Sequence, residues 1–527
     1  MKNLNSTFSK ACVEISNNLL TISKKEGTIN VQNEIKKICK KYALSKIPKK
    51  IDILSFVPNK HFNKLKPILV KRPIKTASGV AVVTIMPKPY SCPHGKCTYC
   101  PGGVKFNTPN SYTGNEPITI DSIKNNFDPC KQITNKIRNL KESGHNTSKI
   151  ELVIVGGTFL FMPKSYQEYF IKSCYDTLNG YSSPTLETSK KRNETAKIRN
   201  VGFTLETKPD YCKEIHIKAM LRYGITRIEI GVQNLQQNTY KIVNRGHNLN
   251  DVINSFHAAK DFGFKIVAHM MPGLPGTNPK NDVNDFITLF TNPKFKPDML
   301  KIYPTVIVKN TKLYTEFNNG NYVPYSNKTM MNILIEIKKK VPNWVRIMRI
   351  QREIQKNEII AGPNIGNLRQ IVNQKLKQQN ISCKCIRCRE IGLQIKDATH
   401  KIKLNRENYE SSEGHEIFLS YTDNNNKIYG FLRLRHPSTK YKIKSERYCI
   451  IRELHVYGKL IDVGKKETLG IQHYGLGKML INNAEKIAKE EFDSKLLLVI
   501  SAVGTREYYK KIGYHLSEPY MEKNLNG

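Results

Sequence analysis

The chain is 527 residues long and carries 85 Lys and Arg against 44 Asp and Glu, a net charge of +41. Hydrophobic residues make up 39% of it, enough to build packed cores, so wholesale disorder is excluded and the length predicts several domains. The longest nearly unbroken apolar stretch, residues 152–162, is well short of the roughly twenty residues a membrane span needs. The opening Met1-Lys2-Asn3-Leu4-Asn5 lacks the apolar core of a signal peptide. We therefore expect a cytoplasmic protein with no membrane partner, whose charge implies a polyanion, nucleic acid first.

Residues 1–75 show helical periodicity broken by Pro48, Pro58 and Pro67, and the first 80 residues hold 17 Lys and Arg against 4 acids. They predict a basic helical module that binds phosphates. Over 76–348, short apolar runs at 80–86, 152–155, 202–205, 227–232, 265–270 and 300–303 alternate with helical stretches such as 122–141, 213–222 and 251–262. Six strands spaced by helices predict parallel βαβ units and a partial barrel, with working residues at the strand C-termini. Residues 349–400 are polar and predict a bridge. Within 401–527 the runs 416–420, 427–434 and 450–456 predict successive antiparallel strands. A helix is expected at 478–492, with Leu480, Ala484, Ile487 and Ala488 on one face, and a further strand at 495–503.

Six of the twelve cysteines form two tight groups; Cys12, Cys39, Cys130, Cys174, Cys212 and Cys449 read as small buried apolar residues. Clustered cysteines without a secretion signal point to metal rather than disulfides. Cys92-x4-Cys97-x2-Cys100 follows the first predicted strand. Three thiolates there can hold three irons of a 4Fe–4S cluster and leave the fourth open to a cofactor; a zinc loop, with His94 as a further ligand, is the alternative. Cys383-x-Cys385-x2-Cys388 favours tetrahedral zinc over a second cluster, with His400, His415, His436 and His455 as candidates for the fourth position. Gln472-x-x-Gly475-x-Gly477 precedes a helix, so Leu476, Lys478 and the backbone around them can meet a pyrophosphate. A tyrosine of the pair Tyr508, Tyr509 could protonate a leaving thiolate.

The cysteine loop, with Val155-Gly156-Gly157-Thr158 and the segments 227–234 and 267–276, resembles the radical S-adenosylmethionine superfamily. The first cysteine gap is four residues where three is commonest there. Segments 452–456, 472–477 and 504–514 resemble the GCN5-related N-acetyltransferase fold. Together they resemble the Elongator complex protein 3 family, the tRNA uridine-34 acetyltransferases, from about Lys71 onward. Motifs that carry the likeness include Cys92 through Cys97, Ser111-Tyr112-Thr113-Gly114, Lys301-Ile302-Tyr303-Pro304-Thr305 and Gly366-Asn367-Leu368-Arg369.

The resemblance implies an α/β chain: a partial (β/α) barrel of the radical type followed by a mixed-sheet acetyltransferase domain, behind the basic helical module. It implies a 4Fe–4S cluster on Cys92, Cys97 and Cys100, with S-adenosylmethionine beside Gly156 and Gly157. Acetyl-coenzyme A would be contacted by Lys149, Glu453, Leu454, His455, Val456, Gln472, Gly475, Leu476, Gly477, Lys478 and Tyr509. A structural zinc would sit on Cys383, Cys385 and Cys388, with His455 completing it. The implied partners are a tRNA anticodon stem-loop and an electron donor for the cluster; accessory subunits are not required by the sequence. The implied product is 5-carboxymethyluridine. The alternative is a protein-lysine acetyltransferase with a structural cluster, in which Glu453 acts as general base.

Overall fold

The computed structural model describes residues 6–22, 30–44, 47–69, 76, 79–391, 401–457 and 475–526. Every apolar run expected in the barrel region forms a strand: β1 (Ala81–Ile85), β2 (Lys149–Ile154), β3 (Arg199–Thr207), β4 (Arg227–Gln233), β5 (Lys265–Met270) and β6 (Met299–Ile302). A short antiparallel pair, β7 (Ile307–Val308) with β9 (Ile359–Ala361), flanks a seventh barrel strand, β8 (Arg346–Arg349). The order β1-β2-β3-β4-β5-β6-β8 is parallel throughout, a half-barrel whose strands all deliver their C-terminal ends to one rim. β8 escaped the sequence pattern because Arg-Ile-Met-Arg offers only one fully buried side chain, Ile347.

The helix expected at 122–141 is two helices, Pro117–Lys124 and Pro129–Glu142. Asn126 and Phe127 take left-handed backbone angles between them, and the Asp128 side chain accepts the Lys131 N–H at 2.8 Å. Pro129 starts the second helix because its missing N–H costs nothing there. Further on, the helix Leu368–Gln378 lays Leu368, Val372 and Leu376 into the barrel's own apolar cluster, as does Cys385 beyond it.

The second sheet runs β10 (Lys403–Ser411), β11 (Gly414–Thr422), β12 (Ile428–His436), β13 (Tyr448–Val456), β14 (Leu496–Val499), β16 (Tyr520–Asn524) and β15 (His515–Ser517). β10 was not expected, since its face alternates charged and half-exposed positions. All neighbours are antiparallel except β13 and β14. One face packs on the helix Leu476–Glu490 through Leu480, Ile481, Ala484 and Ala488. The opposite face gives Ile450, Leu498 and Ile500 to the barrel's cluster. The sheet is therefore buried on both sides.

That junction holds three arginines with no exposed surface to speak of. Arg452 donates to both carboxylate oxygens of Asp298 (2.5 and 2.9 Å) and to Glu416 (2.8 Å). Arg435 donates to Asp261 and Glu416, and Arg433 to Glu453 at 2.8 Å and to the Trp344 carbonyl at 2.7 Å. Asp261 and Asp298 belong to the barrel, so each domain supplies the other's counter-charge. Removing one partner from such a set leaves a buried charge unmatched, at about 3–5 kcal/mol.

The N-terminal helices Thr7–Ile22, Val31–Lys41, Lys50–Leu54 and Asn59–Leu69 close on their own core, Ala11, Ile15, Leu19, Ile35, Ile38, Ile53 and Leu65 among it. Among the described residues no helix is long and apolar enough to cross a membrane.

Candidate active site

The loop after β1 carries Cys92, Cys97 and Cys100 at the barrel rim, half-buried to buried. Backbone bonds hold it from outside: Thr98 N–H donates to the Val243 carbonyl at 3.1 Å and Leu313 N–H to the Thr98 carbonyl at 2.9 Å. Its sulfurs meet hydrogen-bond donors. Asn110 Nδ2 donates to Cys92 Sγ at 3.0 Å, Arg245 Nη1 lies 3.7 Å from Cys97 Sγ, and His94 Nε2 lies 3.2 Å from the same sulfur. The Cys97 thiol is pulled well below its ordinary range, first by its hydrogen bond with Cys100 and then, against burial, by Arg245 and His94. The other His94 nitrogen faces Lys208 Nζ at 2.9 Å, so the ring is engaged at both ends and is not a free zinc ligand.

Gly156 and Gly157 end β2 with φ of 122° and 110°, a region other residues avoid. A Cβ on Gly157 would meet nothing within 4 Å, so the turn leaves open space in front of its backbone. Gly156 N–H donates to Glu206 Oε2 at 2.9 Å. From there, ionisable side chains line the rim strand by strand. Glu206 on β3 lies 3.6 Å from His269 Nδ1, His269 Nε2 lies 2.8 Å from Glu229, and Lys301 on β6 bonds Glu229. Burial raises the Glu229 carboxyl, but Lys301 and His269 outweigh it and hold it far below its usual range. Sequence patterning did not single these residues out; Glu229, His269 and Lys301 lie inside quoted motifs, whereas Asn110, Lys208, Glu206 and Arg245 carried no local signal.

The cysteines, the Gly157 turn and this charged row line one cavity of about 860 Å³. Its far wall is the second sheet: Phe431, Glu453, His455 and Tyr457, with Cys388 beside them. Strand β13 thus presents Glu453 and His455 to the barrel, while Leu454 and Val456 turn the other way, toward the helix Leu476–Glu490. β13 and β14 pair only from Tyr448↔Leu496 to Ile451↔Val499. Beyond Ile451 they part, so residues 452–456 keep β12 on one edge and lose β14 from the other. A smaller cavity of about 140 Å³ occupies that split, lined by Glu453, Leu454, His455, Ser501 and Tyr509.

Gly475 caps the following helix with no side-chain bond, so the N–H groups at Leu476, Gly477 and Lys478 start it uncapped. Gln472 lies outside the described residues. Tyr509 is buried at the strand split, and burial pushes its phenol above its ordinary range. Tyr508 is 40% exposed, with its hydroxyl 3.0 Å from where a Cβ on Gly477 would stand. The structure therefore separates the two tyrosines that the sequence offered alike as proton donors. Lys149 begins β2 on the barrel side, paired with Arg199.

Cys383, Cys385 and Cys388 bring their sulfurs within 4.8 Å of one another, close enough for a single ion. Lys338 Nζ lies 3.5 Å from Cys388 Sγ. His455 is not part of that trio: its ring sits between Phe431 (5.8 Å) and Tyr457 (4.4 Å). Its Nε2 is nevertheless buried without a hydrogen-bond partner, on the wall that Cys388 shares. His415 and His436 face each other beside Phe492 instead, and His400 lies outside the described residues.

A parallel half-barrel with a three-cysteine loop at its rim, sealed by a mixed sheet, defines a radical S-adenosylmethionine protein with an added domain. Family models agree: the Radical SAM superfamily matches residues 86–289, the Radical SAM C-terminal domain 297–378 and the ELP3 N-terminal domain 8–77. Elongator complex protein 3 of Homo sapiens is 42% identical over 94% of this chain and 93% of its own length. The protein of Methanocaldococcus infernus named tRNA uridine(34) acetyltransferase is 43% identical over 91% of this chain and 92% of its own. The solved structure of the archaeal Methanocaldococcus infernus Elp3 without its first 46 residues superposes with a TM-score of 0.74 at 40% identity, covering 85% of this chain and 99% of that one. The chain belongs to the Elongator complex protein 3 family.

Proposed function

We propose that this protein is a tRNA uridine-34 acetyltransferase that forms 5-carboxymethyluridine at the wobble position from acetyl-coenzyme A. The observation that carries this reading is the single cavity walled by the cysteine loop on one side and by Glu453 and His455 of β13 on the other. Two half-reactions that share an unstable carbon radical need one water-poor chamber, and this one belongs to both domains.

The loop suits a 4Fe–4S cluster. Its three sulfurs do not all fall within the 4.8 Å that encloses the second trio, and donors from Asn110 and Arg245 already point at two of them. When bound on Cys92, Cys97 and Cys100, the cluster with S-adenosylmethionine supplies a carbon radical able to take hydrogen from an unactivated methyl group. The chain's residues do the rest. Gly156 and Gly157 keep the wall flat for the methionyl end. The unpaired edge of β13 at 452–456 receives the amides of the pantetheine arm as an added strand, and the uncapped N–H groups at 476–478 receive the pyrophosphate. Lys149 reaches the coenzyme from the barrel. Tyr509, at the strand split, gives its proton to the leaving thiolate, while Tyr508 flanks the pyrophosphate turn. The basic helical module holds tRNA phosphates, and an unstacked anticodon base enters the cavity. Cys383, Cys385 and Cys388 hold zinc.

The lysine-acetyltransferase alternative needs Glu453 as a free base. Burial raises its carboxyl, but Arg433 and Lys265 outweigh that and hold it low, and Arg433 occupies it at 2.8 Å. The deciding experiment is nucleoside analysis of tRNA incubated anaerobically with reconstituted protein, S-adenosylmethionine, acetyl-coenzyme A and a reductant. Absence of 5-carboxymethyluridine with a fully loaded cluster would refute the proposal.

A further inference from the structure

We infer that His94, held in one tautomer by Lys208, is a redox-tuning hydrogen-bond donor to the iron ligand Cys97. Three neighbours build this device. Asp210 Oδ2 lies 3.1 Å from Lys208 Nζ, and the lysine side chain is 4% exposed. Lys208 Nζ lies 2.9 Å from His94 Nδ1, and His94 Nε2 lies 3.2 Å from Cys97 Sγ. An ammonium paired with a carboxylate has hydrogens to give and no lone pair, so it donates to Nδ1. Nδ1 is then the bare nitrogen and Nε2 carries the hydrogen, which points at the sulfur. The hydrogen-bonded line Asp210–Lys208–His94 therefore ends on Cys97 and points the positive end of a dipole at its sulfur.

Packing holds the ring in place. A Cβ on Gly246 would stand 2.3 Å from His94 Cβ, at a φ of +70°, so only glycine lets the 245–247 segment lie against this histidine. The same segment brings Arg245 to Cys97 at 3.7 Å. Cys92 receives a neutral hydrogen-bond donor, Asn110, whereas the hydrogen-bond donors at Cys97 are the cationic Arg245 and the lysine-backed His94. Hydrogen bonds to ligand sulfurs withdraw electron density from an iron–sulfur cluster and favour its reduced form. One electron arrives from a low-potential donor, and the line makes that uptake easier.

The inference rests on the cluster proposed above for this loop, so iron and sulfide content are measured first. The test is the midpoint potential of the reconstituted full-length holoprotein without S-adenosylmethionine, followed by electron paramagnetic resonance. His94→Phe removes the donor; Lys208→Met frees the tautomer while leaving the loop's own residues untouched. Each should disfavour reduction about tenfold, about 59 mV for a one-electron couple. Lys208→Arg should stay near the wild type. The double variant should shift no further than His94→Phe alone, because the lysine acts through the ring. Wild-type protein that binds no iron would remove the cluster reading itself. Unchanged potentials in loaded variants would overturn the donor role alone, as would additive shifts, which mean Lys208 acts through its charge and not through His94. Loss of one iron ligand in loaded His94→Phe would make the histidine a ligand and overturn it too.

Discussion

The two three-cysteine groups use the same side chain for opposite ends, and the contrast between them is instructive. Cys383, Cys385 and Cys388 crowd their sulfurs within 4.8 Å, beside the buried ammonium of Lys338. Cys92, Cys97 and Cys100, on a rim loop, do not all come within that distance of one another, though Cys97 and Cys100 touch, and each faces a cavity large enough for a cofactor. A tight trio gathers one ion and gains folding energy from it. A wide trio leaves room for a larger inorganic body and for what must approach it. Spacing along the chain hints at this difference, but the separation of the sulfurs in space decides it.

The sharpest way to break the comparison is to remove one cysteine from each group. Cys97→Ala should abolish formation of modified nucleoside, at least a thousandfold, while thermal unfolding stays close to the wild type; the readouts are nucleoside chromatography and calorimetry. Persistent product would sink the radical mechanism, and lysine acetylation at full rate without product would favour the protein-acetylating alternative. Cys385→Ser should do the reverse in kind. Metal analysis of anaerobically purified protein should show zinc lost and iron retained, with a destabilisation of several kcal/mol. Iron at that site in the wild type would erase the distinction.

A third variant calibrates what a purely structural loss looks like. Asp298→Ala leaves buried Arg452 with Glu416 as its remaining carboxylate and strips Arg433 of a nearby one, at about 3–5 kcal/mol, with both metals bound in full. A melting temperature unchanged by that substitution would mean the domains are not locked by this network. The smallest effect concerns the zinc group's neighbour. Lys338→Met should weaken zinc about 10- to 100-fold in a chelator competition, as losing a supporting contact does, and leave iron content alone. Equal zinc affinity would show that the ammonium merely packs there.

Much of the site was legible locally. Cysteine spacing, the glycine turn at 156–157 and the period of the strands all arise from residues a few positions apart, where covalent geometry fixes who can meet whom. The six strands expected in the barrel form as strands for that reason. The helix break at Asp128-Pro129 was equally local and was missed because the apolar period continues through it. His269 and Lys301 were readable as motif members but not as partners of Glu229, since β4, β5 and β6 meet only in the folded sheet.

Composition and pattern by themselves determined the presence of two tight cysteine groups, the basic character of the chain and the succession of barrel and mixed sheet. Tertiary structure alone decided what β12 is for. Its Leu432-Arg433-Leu434-Arg435 alternation reads as a strand with one wet face, yet both faces are buried and the arginines are among the most enclosed side chains in the molecule. The reason is electrostatic. A guanidinium can leave water only where carboxylates already wait for it, and Asp261 and Asp298 stand more than a hundred residues earlier in the chain, on the other domain. Docking that satisfies those charges also closes the cavity between Cys97 and His455, so the chamber belongs to neither domain's sequence and exists only when the two are packed together.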